Sequence, residues 1–335
     1  MKLLKAIMYS IVNLSQEKTK YWYISSALEI KIQEVLSWWQ KCILYINRRW
    51  EYSSLVCKSC QNFYKCKNCD TSLSIHRGKN ELICHTCWYQ EIFSLSCKYC
   101  KSIELEKIWV GWQQIEEAIK KMFSTYKTVR FDTDTLKTKK EKSEAFWKCK
   151  ESDIIIGTKM ITTGLDIDNI WLIGVILLEQ EIIFPAYNTV EKAFSNMSQL
   201  IGRAGRRWKT YEVVIQTFIP ENEIISLLIE KNYKDFFETS LKERKIFWYP
   251  PFKELAIIEY RNKDEKKAKN FLEQLQSKLE EEKNPDYEIF LSQRSRRKYN
   301  QYFFELIIKW ENIRSFLEII RYDVMLNPYL NIRFE

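Results

Sequence analysis

Four Cys-x-x-Cys pairs within residues 57–100 constrain the fold of this chain more than any other feature. Each pair can form a short turn whose two thiolates bind one tetrahedral ion, so eight ligands make two closed four-thiolate sites. Scattered buried cysteines or disulfides are poorer interpretations of so regular a pattern. The sequence therefore predicts two structural Zn²⁺ ions. Their predicted ligands are Cys57, Cys60, Cys66, Cys69, Cys84, Cys87, Cys97 and Cys100.

The spacing of the pairs predicts which of them share an ion. The two middle pairs are separated by residues 70–83, close to the usual zinc-ribbon separation, so they share one ion and the first and last pairs share the other. This interleaving brings the two ends of the insert together, so that the insert can interrupt a continuous sheet. The two predicted sets are Cys57/Cys60/Cys97/Cys100 and Cys66/Cys69/Cys84/Cys87.

Four other residues could in principle bind a metal ion. His76 and His85 are the only histidines, and both lie in the insert. Because eight thiolates are available, we interpret them as surface groups or neighbours of the sites rather than as ligands. Cys42 and Cys149 lie outside the array, and we expect them to be small core hydrophobes.

Apolar runs alternate with helical stretches on both sides of the insert, which is typical of a parallel sheet covered on both faces. After residue 240 the pattern changes to a strand, a charged helix, two strands, and a final helix and strand. We therefore expect an N-terminal extension over 1–23, an α/β lobe over 24–240 that the 57–100 insert interrupts, and an α+β domain over 241–335. The runs predicted as strands of the lobe are "CILYINRR", "TVRFDTD", "SDIIIGT", "IWLIGVILL" and "YEVVIQTF".

Charge and hydropathy limit the environment of the chain. It carries 53 basic and 44 acidic residues, an excess that suits contact with nucleic acid but is also ordinary for a soluble protein. No apolar run approaches the ~20 residues of a membrane span, and no small-residue cleavage site follows the apolar start. We therefore expect a cytoplasmic protein without a membrane partner, whose cysteines are metal ligands or thiols.

Several motifs together resemble a known family. They are, in order, "CILYINRRW", the eight cysteines, "SDIIIGTKMITTGLDI", "QLIGRAGRR" and "WYPPF". From about residue 24 onward the chain is similar to the C-terminal half of the PriA family of primosomal, replication-restart DNA helicases. The resemblance implies a superfamily 2 helicase, in which two RecA-like lobes clamp one ATP. The implied fold is a RecA-like parallel-sheet second lobe with an inserted two-zinc module and a small α+β C-terminal domain.

The resemblance also implies site residues. "GTKMITTGLD" matches motif V, which touches nucleotide and DNA backbone, and "QLIGRAGR" matches motif VI, which contacts the γ-phosphate. A planar guanidinium reaches phosphate bidentately, so arginine suits the charge that builds up in phosphoryl transfer. The alternative is that these arginines are solvated helix charges. The implied residues are Thr158, Gly164 and Asp166 for nucleotide binding, and Gln199, Arg203 and Arg206 for catalysis, with Arg206 as the arginine finger.

Two departures from the family pattern weaken the expectation that ATP hydrolysis is coupled to DNA. Thr163 stands where the family usually has a lysine before the motif V glycine. The acidic residues usual after the next strand are replaced by "LLEQ" (177–180).

No phosphate-cradling GxxxxGK[ST] occurs in the sequence, and Gly78–Lys79 lacks the other elements of that motif. We therefore expect ATP and Mg²⁺ to be shared with a first lobe on a separate polypeptide, or the chain to be a fragment, and the chain alone not to hydrolyse ATP. The implied partners are forked or single-stranded DNA, that first lobe and primosome proteins. The alternative is a zinc-stapled DNA-binding or primosome-docking adaptor without ATPase activity.

Two stretches of the C-terminal region carry further expectations. The run "SQRSRRKYNQY" (292–302) interleaves basic residues with Tyr299 and Tyr302, which suits a phosphate-and-stacking surface but also a solvated loop. The charged stretch 263–283 predicts an amphipathic helix. Its predicted buried residues are Phe271, Leu272, Leu275 and Leu279.

Tryptophan and glycine occur in unusual numbers, with 12 tryptophans and only 7 glycines. Five of the tryptophans stand where the resembled family typically carries glycine: Trp50, Trp88, Trp112, Trp208 and Trp248. One hypothesis is that the source organism reads UGA as glycine. The alternative is a tryptophan-rich protein that stacks bases, and it is favoured by Trp22 and Trp310, which have no obvious glycine role.

Overall fold

The computed structural model describes most of the chain. The described residues are 7–17, 19–21, 23–47, 53–67, 72–75, 81–84, 89–108, 112–131, 138–158, 167–182, 187–204, 211–281, 287–292, 296–298 and 301–335. Within them, no helix is both long enough and apolar enough to cross a bilayer.

Beyond residue 23, the helices and strands follow the predicted order. The described helices are α1 (Ser26–Ser37), α2 (Trp112–Met122), α3 (Lys139–Glu151), α4 (Glu179–Ile182), α5 (Thr189–Ala204), α6 (Glu223–Glu230), α7 (Tyr233–Ile246), α8 (Glu265–Glu280), α9 (Ile313–Leu317) and α10 (Arg321–Leu326). The described strands are β1 (Ile7–Asn13), β2 (Thr19–Tyr21), β3 (Ile24–Ser25), β4 (Lys41–Tyr45), β5 (Ser53–Cys57), β6 (Ser74–Ile75), β7 (Glu81–Ile83), β8 (Gln90–Ile92), β9 (Leu105–Ile108), β10 (Thr128–Phe131), β11 (Ile154–Gly157), β12 (Ile170–Val175), β13 (Tyr211–Thr217), β14 (Glu254–Asn262), β15 (Glu288–Leu291), β16 (Arg296–Lys298), β17 (Gln301–Trp310) and β18 (Leu330–Phe334).

The largest sheet has six parallel strands in the order β1-β13-β12-β4-β11-β10. Its central strands are short runs of branched apolar residues, which suit a sheet buried on both faces. All five runs predicted as strands of the lobe lie in it. The parallel α/β fold class is therefore confirmed.

Helices cover both faces of this sheet. On one face α1 buries Leu28, Ile32 and Leu36, which recur at helical spacing, and it begins at Ser25, whose side chain accepts a hydrogen bond from the Leu28 amide. On the other face α5 and α6 pack against β12 and β13. A Cβ atom on Gly174 in β12 would lie 2.9 Å from a Leu28 carbon, so glycine allows α1 to pack closely.

The first strand differs from the sequence expectation. Residues 1–23 are predicted to be an extension, whereas β1 pairs in parallel with β13 along its whole length and forms an edge of the sheet. Ser10 donates a hydrogen bond to Glu212 across this pair, at 2.8 Å. Residues 7–13 therefore belong to the lobe's sheet.

The cysteine-rich insert forms its own antiparallel sheet, in the order β8-β7-β6-β5-β9. It lies between β4 and α2 along the chain. The first and last of its strands are paired, with Cys57 opposite Leu105. The chain therefore leaves and rejoins the lobe at neighbouring points, as the interleaved cysteine pairs predict.

The C-terminal residues form an antiparallel sheet in the order β15-β17-β14-β18, with β16 also paired to β17. With α8 and the α9–α10 region, this is a βαββαβ arrangement. The predicted amphipathic helix is confirmed as α8, which buries Leu272, Leu275 and Leu279, while Phe271 stacks on Tyr260. In the basic run, Arg296–Lys298 form β16, and the role of the run in binding stays a prediction.

Candidate zinc and nucleotide sites

The first and last cysteine pairs meet at one point of the insert. The sulfur atoms of Cys57, Cys60, Cys97 and Cys100 all lie within 4.8 Å of one another. Cys57 Sγ is 3.5 Å from Cys100 Sγ, and Cys60 Sγ is 3.7 Å from Cys97 Sγ. Zinc–sulfur bonds of ~2.3 Å in a tetrahedron separate the sulfurs by about 3.8 Å, so these four thiols fit one Zn²⁺.

Two matching turns hold these thiols in place. After the first pair, Gln61 has a left-handed φ of 59° and its amide donates to the Cys57 carbonyl, at 2.8 Å. After the last pair, Lys101 has a φ of 64° and its amide donates to the Cys97 carbonyl, at 2.9 Å. The two Cys-x-x-Cys segments therefore form equivalent knuckles, and each offers two thiols.

The thiol of Cys60 is prepared for ionisation. Burial opposes the Cys60 thiolate, but hydrogen bonds from Asn62, Cys100 and Cys57 together lower the pKa of Cys60 to about 7. At Cys100 the Ser102 backbone lowers the pKa, but the neighbouring thiols raise it to about 12. Thiolates are the species that bind zinc, so loading of this site releases protons from its thiols.

The second predicted zinc set is only partly within the described residues. Cys66 and Cys84 are buried in one apolar cluster with Leu55, Tyr64 and Leu82. Cys69 and Cys87 lie outside the described residues, as do His76 and His85. Cys42 and Cys149 are fully buried, which confirms that they are core residues of the lobe.

The predicted nucleotide residues that the structure describes lie at opposite edges of the parallel sheet. Thr158 directly follows β11, at the carboxyl edge. Gln199 and Arg203 lie in the last turns of α5, and the Tyr211 hydroxyl at the start of β13 donates to the Ile201 carbonyl, which fixes that end of the helix at the amino edge. Gly164, Asp166 and Arg206 lie outside the described residues, as does the side chain of Arg203.

The register across the sheet gives the separation between these two edges. Gly157, which precedes Thr158, is level with Tyr45, Val175 and Ile215 on the neighbouring strands. Thr158 is therefore about five residues, or roughly 17 Å, farther along the strand direction than Tyr211. Thr158 and the end of α5 are too far apart to contact the same phosphate.

The side chain of Gln199 is accessible. It is exposed, and within the described residues its amide donates only to Ser195 Oγ, one turn earlier, at 3.3 Å. A side chain so weakly held can turn toward a ligand at the end of α5.

Glu179 and Glu181 are buried at the carboxyl edge and are not predicted from the sequence, where "LLEQ" is interpreted as a loss of acidic residues. Glu179 is completely buried, and its Oε1 accepts hydrogen bonds from the Thr217 hydroxyl and the Phe218 amide. Glu181 accepts from the Tyr45 hydroxyl at 2.7 Å and from the Asn196 amide at 3.0 Å. These carboxylates tie α4 to β4, β13 and α5. Two glutamates within the apolar run "ILLEQEII" were the available signal.

The buried carboxyl of Glu179 gives stability an unusual pH dependence. Burial raises its pKa to about 7, and the hydrogen bonds that it accepts only partly offset this. The folded state therefore keeps a proton that the unfolded state loses near pH 4.5, so stability should fall by roughly 3 kcal/mol between about pH 4.5 and pH 7.

Glu179→Gln should remove this contribution while keeping the shape of the side chain. Urea unfolding at several pH values between 4.5 and 8 measures the effect, with the exposed Glu230→Gln as the control. An identical loss of stability in Glu179→Gln and in the unchanged protein would show that this carboxyl is not the titrating group.

The opposite end of α5 is clamped to the segment that enters the C-terminal region. Glu191, in the first turn of α5, accepts hydrogen bonds from Ser240 and from two nitrogens of Arg244 on α7. Arg244 also donates to the Pro250 carbonyl at 2.5 Å and lies 5.0 Å from the centre of the Tyr187 ring. Because both charged side chains are largely shielded, the pair is worth more than a surface ion pair.

Removal of either partner of this clamp should destabilise the protein by about 2 kcal/mol, because it leaves a shielded charge unpaired. The cycle of Glu191→Ala, Arg244→Ala and the double variant should give a coupling energy of roughly 1–3 kcal/mol in urea unfolding. The exposed pair Lys234–Glu238 on α7 is the matched control, and its coupling should stay within about 0.5 kcal/mol. Equal coupling in both pairs would contradict the clamp.

Known proteins match two parts of this chain. Residues 66–91 match the PriA DNA helicase Cys-rich region domain, and residues 91–207 match the helicase conserved C-terminal domain. Among solved structures, the DUF1998 helicase MrfA bound to DNA is 13% identical, with a TM-score of 0.33, covering 88% of this chain and 30% of that one. The cysteine cluster, the parallel sheet and the two matching domains define the class: a RecA-like helicase lobe of α/β fold that carries an inserted zinc-binding ribbon.

Curated relatives identify the particular family. A replication restart protein PriA of Synechocystis sp. is 34% identical over 240 residues, covering 70% of this chain and 29% of the relative. The PriA of Borreliella burgdorferi is 32% identical over 276 residues, covering 81% of this chain and 41% of the relative. The family is that of PriA, and the sequence resemblance is confirmed. The chain spans less than half the length of these relatives.

Proposed function

We propose that the chain is the second motor lobe of a PriA-like, ATP-dependent DNA helicase that acts in replication restart. The position of α5 supports this most strongly. Its last turn, fixed by Tyr211, ends at the amino edge of the sheet, and the helicase motif from Gln199 to Arg206 begins there. The match to the helicase domain ends at residue 207, directly after that motif.

In this proposal the two edges of the sheet have different ligands. Arg203 and Arg206 stabilise the charge on the γ-phosphate, and Gln199 orients the phosphate or the attacking water. Gly164 and Asp166 complete the nucleotide contacts of this lobe in the proposal. Thr158, at the carboxyl edge and ~17 Å away along the strand direction, contacts the DNA backbone rather than ATP in this proposal. A first lobe holds ATP and Mg²⁺, and the arginines complete its site.

The proposal includes two zinc ions in the insert. Cys57, Cys60, Cys97 and Cys100 hold one. The other is held by Cys66, Cys69, Cys84 and Cys87, which is supported by the burial of Cys66 and Cys84 in one cluster. Both ions are structural, because four thiolates leave no open position.

The expected partners follow from the proposed role. They are forked or single-stranded DNA, a first helicase lobe and primosome proteins, in the cytoplasm. The pairing of β16 with β17 brings Arg297 opposite Tyr302, and DNA lies along this pair in the proposal.

Unwinding of forked DNA tests the proposal. The chain combined with a PriA first-lobe protein and ATP should separate the strands, and neither part alone should do so. A fluorescent strand-displacement assay measures this. Failure of the combination to unwind or to hydrolyse ATP, with DNA binding intact, would favour an adaptor instead.

One observation favours that second candidate, a docking adaptor. The insert exposes more than four-fifths of the side chains of Ile92, Leu95 and Ile103. Apolar side chains so exposed suit a protein contact. An adaptor would bind DNA or primosome proteins equally well with Arg206 replaced, whereas the motor lobe would lose its activity.

A further inference from the structure

The residue that follows helix α1 has a left-handed backbone conformation, which glycine normally adopts, but this residue is a tryptophan. α1 ends at Ser37, and Trp39 follows in the left-handed conformation with a φ of 55°. The Trp39 amide donates to the Leu36 carbonyl and the Gln40 amide to the Val35 carbonyl, each at 3.1 Å. These two bonds form a Schellman motif, whose left-handed position is usually glycine.

The side chain of Trp39 gains nothing that could offset this backbone. Its surface is 92% exposed. A left-handed conformation costs a residue with a Cβ atom roughly 1–2 kcal/mol, and an exposed indole adds no packing in return. Neither structural nor ligand-binding chemistry in the described residues explains a tryptophan here.

A second tryptophan has the same backbone. Trp248, one of the five tryptophans singled out in the sequence, has a φ of 54°. Lys253 Nζ lies 3.4 Å from the centre of the Trp248 ring. The Trp248 side chain therefore has a contact, whereas that of Trp39 is exposed. Trp112, by contrast, begins helix α2 and gives no such signal. The other tryptophans singled out, Trp50, Trp88 and Trp208, lie outside the described residues.

The described glycines show the opposite pattern. Gly157 and Gly174 lie in strands and Gly202 lies in a helix, so none of these three glycines occupies a left-handed turn. Residues other than glycine, including Trp39 and Trp248, occupy the left-handed positions of the described residues. The whole chain has only 7 glycines but 12 tryptophans. Trp171 and Trp310, in contrast, lie in strands, where aromatic residues are favoured.

We propose that codons 39 and 248 are UGA and that the source organism inserts glycine at both, so that the native protein has glycine in these two turns. Trp38, Trp147, Trp171 and Trp310 are then tryptophans encoded by UGG. The proposal is independent of the helicase function, since it rests on backbone geometry alone.

Mass spectrometry of the protein isolated from its source organism tests this directly. Trypsin releases residues 32–41, which contain Trp38 and Trp39, and residues 246–253, which contain Trp248. Each peptide should be lighter than the printed sequence by the difference between one tryptophan and one glycine. Fragment ions should place glycine at 39 and keep tryptophan at 38. A tryptophan mass at 39 or 248, or a UGG codon at either, would overturn the proposal.

Stability of the recombinant chain provides a second measurement, with matched controls. Trp39→Gly should raise the ratio of folded to unfolded protein by about 5- to 30-fold in urea unfolding. Trp38→Gly changes an exposed neighbour with a φ of −92° and should give no such gain. Trp147→Gly, on the exposed face of α3, should lower the ratio. A loss of stability in Trp39→Gly equal to that in Trp147→Gly would contradict the proposal.

Discussion

Arg206→Ala should reduce ATP turnover by about 10³-fold or more when the chain is combined with a PriA first lobe on single-stranded DNA. The proposed role of Arg206 is to place a guanidinium against the γ-phosphate as negative charge develops there. The clamp at Glu191, the buried carboxylate of Glu181 and the hydroxyl of Tyr211 all fix helix α5, which leads to that arginine. Because α5 is well anchored, we expect the proposed finger that follows it along the chain to need little reorganisation during the reaction.

Steady-state ATPase assays at saturating first lobe and DNA measure this effect. Arg207→Ala is the matched control, because it removes the same charge from the adjacent position, which the helicase motif does not include. It should change turnover only slightly. Arg206→Lys should recover little, because a single ammonium cannot replace the planar fork. Similar losses in Arg206→Ala and Arg207→Ala would indicate general electrostatic attraction and contradict the finger.

Replacement of the proposed zinc ligand Cys57 should unfold the insert. Structural zinc in small domains contributes an apparent ~10–16 kcal/mol at neutral pH, which is as large as the net stability of most whole domains. The antiparallel sheet of the insert is made of short strands. Its described buried cluster is small and consists of Leu55, Tyr64, Cys66, Leu73, Ile75, Leu82 and Cys84. We therefore expect that burial of apolar side chains alone does not keep the insert folded.

Cys57→Ser should lower the zinc content from two ions to one per chain, measured by elemental analysis, and should make the insert sensitive to limited proteolysis. Cys149→Ala, which changes a buried cysteine of the lobe, should leave both readouts unchanged. Full zinc content in Cys57→Ser would contradict the assignment of this site. A protease-resistant insert without zinc would contradict the structural role of the metal.

The zinc knuckles and the parallel sheet could be predicted from the sequence because their signals are local. The spacing from Cys57 to Cys60 predicts a short turn with both thiols on one side. A short run of branched apolar residues, such as Ile154–Gly157, predicts a buried strand. The helix over Glu265–Glu280 shows its buried face in the spacing of its leucines.

Features that depend on distant partners could not be predicted in this way. β1 is an edge strand because it pairs with β13, which lies some 200 residues later in the chain. Glu179 is buried only because Thr217 and Phe218 satisfy one of its oxygens. The left-handed turn at Trp39 lacks its usual sequence marker, since tryptophan does not signal the end of a helix.

ATP hydrolysis by the chain alone, and then during titration with a PriA first lobe, tests most directly whether this protein completes a nucleotide site that another lobe holds. The account predicts no turnover above background for the chain alone, even on DNA. Turnover should then rise with added first lobe and saturate at one chain per lobe. Hydrolysis by the isolated chain that depends on Arg206, or no rise with any amount of first lobe, would contradict it.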